Sequence, residues 1–114
     1  MANTFKLKTR AGIDTSLATV YTVPASKTTV IIGLTLTNIK GASITASVQV
    51  SSNTVDVETN ADVYVVKDIP IPSGSSVEVM AGNKIVLQTT DILKVSTSVV
   101  DGADAVLSIM ESDV

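Results

Sequence analysis

The chain contains no cysteine, no histidine and no tryptophan, and its aromatic residues are Phe5, Tyr21 and Tyr64 alone. Without cysteine there is no disulfide framework and no thiolate metal site, and stability does not depend on the redox compartment. Without histidine the side chain that titrates nearest neutral pH is missing, and with it the commonest general base. These absences predict a non-enzymatic chain with no cofactor. Carboxylate pairs remain as possible catalysts, but the acids sit mostly beside Gly, Asn or Ser, where a solvated turn residue is the ordinary outcome. A net charge of −3 and so few stacking groups predict no nucleic-acid partner. The most hydrophobic run, Thr29 to Leu36, is too short to span a bilayer, so no membrane association is expected. The opening Met-Ala-Asn-Thr-Phe-Lys lacks the basic-then-apolar layout of a secretion signal, which predicts synthesis in a cytoplasm.

What the chain has in abundance is Val, Ile and Thr, 43 of 114 residues. Their branched Cβ atoms suit a pleated strand and crowd a helix, so the composition predicts sheet and essentially no helix. Apolar positions alternate with polar ones at period two along most of the chain, the mark of half-buried strands. Strands are expected at 5–8, 19–23, 28–38, 44–50, 63–71, 85–89, 93–99 and 105–109, with turn residues between them; Val77 and Val79 lead into the turn Ala81-Gly82-Asn83-Lys84. Asn38-Ile39-Lys40-Gly41 and Asp101-Gly102 read as hairpin turns, the first joining two neighbouring antiparallel strands. Pro70 and Pro72 cannot donate to a ladder, so they should mark a sheet edge. The expected fold is an all-β antiparallel sandwich, jelly-roll-like, of about eight strands. Its core should comprise Val30, Ile32, Leu34, Leu36, Val48, Val50, Leu93, Val95, Leu107 and Ile109.

Residues 14–114 are read as this single sandwich domain, and residues 1–13 as an N-terminal arm or first strand. Charge is unevenly spread: residues up to Lys40 carry +4 and the remainder −7. In the arm, Lys6, Lys8 and Arg10 alternate with Phe5 and Leu7. One side of an extended segment is therefore basic and the other apolar, which predicts an arm that engages a neighbouring protein subunit. Two acidic groups, Asp56 with Glu58 and Asp62, and Asp101 with Asp104, offer carboxylates to a hard cation, but neither has the spacing of a calcium loop. Strand positions facing outward are Thr, Ser, Gln and Val, with little charge. Association would then come from many shallow aliphatic contacts or from strand-edge pairing.

Several phrases point to a family. Thr19-Val-Tyr-Thr-Val-Pro-Ala25, Thr29 to Asn38, Tyr64 to Val79, Gly82 to Asp91 and Ala105 to Glu111 resemble segments of small β-sandwich virion proteins of tailed bacteriophages, especially marine and cyanobacterial ones. Asp91 departs from that pattern in being preceded by Thr90. The resemblance spans most of residues 17 to 111 and implies a virion location and a non-enzymatic structural role. The first expectation is a capsid decoration (cement) protein that binds and stabilises the head, as a homotrimer or other homo-oligomer, with the major capsid protein or other virion proteins as partners. A neck, tail or fibre-attachment adaptor is the alternative within that class, and a receptor- or carbohydrate-binding sandwich the alternative outside it. The scarcity of aromatic platforms argues against sugar binding.

Overall fold

The computed structural model describes residues 3–113, so the first two residues of the expected arm lie outside it. Among the described residues there are nine strands and no helix: β1 (Asn3–Ile13), β2 (Ala18–Thr22), β3 (Lys27–Asn38), β4 (Ile44–Ser51), β5 (Val63–Ile71), β6 (Ser76–Glu78), β7 (Ile85–Leu87), β8 (Ile92–Thr97) and β9 (Ala103–Asp113). They form two antiparallel sheets. The first has the order β1-β9-β3, with β6 and β7 both paired to the far side of β3; the second has the order β2-β8-β4-β5. Because β6 and β7 share one lane, the nine strands fill eight lanes, and the interleaved order is that of a jelly roll.

The two expected hairpins are crossings instead. β3 lies in the first sheet and β4 in the second, and β8 and β9 are divided in the same way. Asn38 is buried and turns the chain over the end of the sandwich. Its Nδ2 donates to the carbonyls of Ala42 and Ile71, while its Oδ1 accepts from the Lys40 N–H. At the second crossing Gly102 packs so closely on β8 that a Cβ there would lie 2.6 Å from Thr97 Oγ1. Its N–H donates to the Ile13 carbonyl and its carbonyl accepts from the Ile39 N–H, tying three segments together. Turn-forming residues mark where a chain reverses; they do not say whether the next strand pairs with the last or crosses to the other layer.

The core lies between the sheets and includes Leu34, Leu36, Val48, Leu93, Val95, Leu107 and Ile109, as the alternation predicts, with Val50 partly buried against it. Val30 and Ile32 are corrections. Thr29 and Ile31 are buried in their place, and Ile32 is exposed. The cause is a β-bulge: Ile31 opposes Ile109 but Gly33 opposes Ser108, so Ile32 is the extra residue and the inward parity changes from odd to even along β3. The partner lane breaks at the same place. Between β6 and β7 the chain departs, and Glu78 supplies the missing acceptor by taking the Leu34 N–H and the Thr35 hydroxyl. Pro70 lies on β5, the edge strand of the second sheet, and Pro72 just past its end.

Candidate functional site

β1 is an edge strand that pairs with β9 of its own sheet from Asn3↔Ser112 to Ile13↔Ala103. The arm is thus a first strand of the sandwich, ended by an irregularity at Gly12, whose φ of 63° suits a residue without Cβ. The structure divides the five arm residues singled out from sequence between two faces. Lys6 opposes Ile109 and Lys8 opposes Leu107, both core residues, so the basic side of β1 faces inward over the rim of the sandwich. Lys6 Nζ lies 2.9 Å from Oε1 of the buried Glu111. Arg10 donates to the Thr19 carbonyl of β2 in the opposite sheet, at 3.1 Å. Lys6 and Arg10 are thereby engaged within the chain, while Phe5 and Leu7 point outward to solvent.

Sequence reasoning missed the polar cluster that receives this strand. Tyr21 donates to Glu111 Oε2 at 2.5 Å and shares a 2.8 Å hydrogen bond with the buried Thr29. The Lys6 ammonium and then the Tyr21 hydroxyl hold the Glu111 carboxyl below the usual glutamate range, against the opposing effect of burial. The Tyr21 hydroxyl is pushed up to about 12, first by burial and then by its bond to Glu111. Tyr21, Thr29, Lys6 and Glu111 come from four different strands, so no spacing along the chain links them. The arrangement joins both sheets to β1, and all of its groups have partners. It offers no free base or nucleophile.

Within the two acidic groups, Asp62 and Asp104 are likewise spent on backbone and turn contacts. Asp62 Oδ1 accepts from the Ser51 hydroxyl and the Ser52 N–H, and Asp104 accepts from the Gly12 N–H. Asp91, almost wholly buried, accepts from the Ser52 hydroxyl and the Gln88 N–H. Beside Asp62 lies an open hollow of about 430 Å³ lined by Ser51, Ser52, Asn53, Asp62, Thr90 and Ile92. Among the described residues no group of three or more His, Cys, Asp or Glu could hold a metal ion. None of the buried side-chain polar atoms described lacks a hydrogen bond. No helix among them is long and apolar enough to cross a membrane.

The feature that folding does not account for is the outer face of the first sheet. Phe5 opposes Met110, Met110 opposes Val30 and Val30 opposes Val86, giving one apolar row across four strands. Leu7, Ile32 and Val106 extend it. Phe5 is 72% exposed and Val86 60%. The neighbouring outward positions are Thr9, Ser108, Ser112, Thr28 and Thr35, and Glu78 at the margin is already engaged by β3. Val86 and Met110 were not singled out from sequence, although their alternation with Ile85, Leu87 and Ile109 was the available signal.

No family model and no curated protein matches the sequence. Among solved structures, one described as "Bacillus endospore appendages form a novel family of disulfide-linked pili" is similar, with a TM-score of 0.49 and 13% identity, covering 96% of this chain and 84% of that one.

Proposed function

We propose that this chain is a non-enzymatic structural subunit that works by packing against other protein, as a capsid decoration protein of a tailed bacteriophage. The observation that carries the reading is the outer face of the first sheet, where an apolar row with no ionisable group in it is left open on a sandwich whose described buried polar side chains are satisfied. Soluble monomers seldom leave a contiguous apolar patch without a use for it. The lack of histidine and cysteine supports a role without catalysis, and the virion assignment rests on the sequence resemblance. Decoration requires many copies per particle, whereas a neck or tail adaptor requires about a dozen. Quantitative mass spectrometry of purified particles tests the proposal. Hundreds of copies per head are expected; absence from the particle, or a dozen copies confined to the tail, would overturn the assignment to decoration.

A further inference from the structure

We propose that the outer face of the first sheet is a two-fold interface on which a second copy of this chain lays the same face. The proposal rests on the reading that this face docks protein, and it names the partner.

Three observations favour a second copy. The first is charge. The row Phe5, Met110, Val30 and Val86 crosses the sheet with no ionisable group in it, so this part of the face can meet itself without opposing like charges; the outward carboxylates Glu78 and Asp104 lie toward one end of the sheet and are already engaged by the Leu34 N–H, the Thr35 hydroxyl and the Gly12 N–H. The second sheet lacks this property, since Lys94 occupies its middle row between Thr19 and Gln49.

The second observation is area. Eleven residues of β1 at about 3.4 Å each and four strands about 4.8 Å apart define a face on the order of 700 Å², close to the roughly 800 Å² per partner of a standard stable interface. Two such sheets carry the same right-handed twist. They can therefore stack in the aligned sandwich geometry, about 10 Å apart, with outward Thr, Val and Ser side chains interdigitating.

The third is the guarding of the neighbouring edge. β1 presents an unpaired side to solvent, but it directs Lys6 and Lys8 inward and ends in an irregularity at Gly12, both of which discourage edge-to-edge strand addition. Stacking of faces avoids that edge.

Sedimentation equilibrium of the full chain, from low micromolar to several hundred micromolar, tests this. A monomer–dimer equilibrium is expected, weakened at least about tenfold by Val86→Lys and by Phe5→Lys, each of which places a charge in the contact. Gln49→Lys on the second sheet should leave it unchanged. Thermal melts of all three report whether each variant folds, and Phe5→Lys, on the edge strand at a largely exposed position, keeps the test decisive if Val86→Lys does not fold. A monomer at every concentration, a trimer, or a dimer indifferent to both substitutions would overturn the proposal. Cosedimentation with particles separates the two readings. If the chain is monomeric yet loses particle binding on Phe5→Lys, the two-fold fails while the docking role of the face stands. If neither association nor particle binding responds, both fail.

Discussion

The two sheets of this sandwich present very different outer surfaces to solvent. Across the middle of the first run Phe5, Met110, Val30 and Val86; across the middle of the second run Thr19, Lys94, Gln49 and Tyr64. Tyr64 is moreover covered by the Lys67 ammonium, 5.2 Å from its ring centre. Both sheets obey the same alternation and both direct aliphatic side chains into the shared core, so folding places no demand on what their outward positions hold. A sheet with Thr, Lys and Gln outside folds as well as one with Phe, Met and Val outside. The difference therefore belongs to what each face meets after folding, and it is the reason for assigning docking to the first sheet.

The sharpest contrast within one strand is between the adjacent residues Leu107 and Val106, one fully buried and the other 42% exposed. Leu107→Ala should cost about 2–5 kcal/mol in urea denaturation, through lost burial and a residual cavity. Val106→Ala should stay within about 0.5 kcal/mol. Comparable losses at both sites would mean that the outer face is packed in the isolated chain.

A smaller effect is expected at Glu111, which holds β1 in place from the inner side. Glu111→Gln should cost about 1–3 kcal/mol by removing a charge-assisted partner from Lys6 and weakening the bond to Tyr21. It should also change the acid limb of stability. The folded carboxyl binds its proton less readily than the unfolded one, so its contribution is complete above the ordinary glutamate pKa of about 4.3 and is lost as pH falls through the lowered folded value. Urea titrations at successive pH values below 5 should show a shallower loss in Glu111→Gln than in the parent. Equal slopes would remove Glu111 from the account of how β1 is held. The smallest effect is in the stability of the folded unit itself: Val86→Lys and Gln49→Lys should each change it by no more than about 0.5 kcal/mol, since both replace outward strand side chains.

Much of the fold was legible because alternation at period two is a direct image of a pleated strand. Leu93 and Val95, or Leu107 and Ile109, could be placed inside from the chain alone. The failures share one cause, which is that register and layer are set by partners distant in sequence. The bulge at Ile32 arises from how β3 meets β9 and from the gap between β6 and β7, so Val30 and Ile32 read as core when counted back from Leu34. Asn38 and Gly102 looked like hairpin residues because the turn chemistry of a crossing and of a hairpin overlap. In the arm, the alternation of Lys6, Lys8 and Arg10 with Phe5 and Leu7 was visible, yet which side faced outward depended on Glu111 and Thr19. The structure reverses the emphasis, because Lys6 and Arg10 are engaged at home and the apolar side is the one on offer.

Because the chain has no native cysteine, a single introduced thiol can carry a spin label at one chosen place. Ser108→Cys puts the label near the centre of the first sheet's outer face, and Gln49→Cys puts it near the centre of the second's. Double electron–electron resonance at high protein concentration should give a short inter-label distance at position 108 and a much longer one at position 49, as two copies meeting through their first sheets require. Absence of a short distance at position 108, or the shorter distance at position 49 instead, would contradict the assignment of the first sheet's outer face as the surface through which this protein associates.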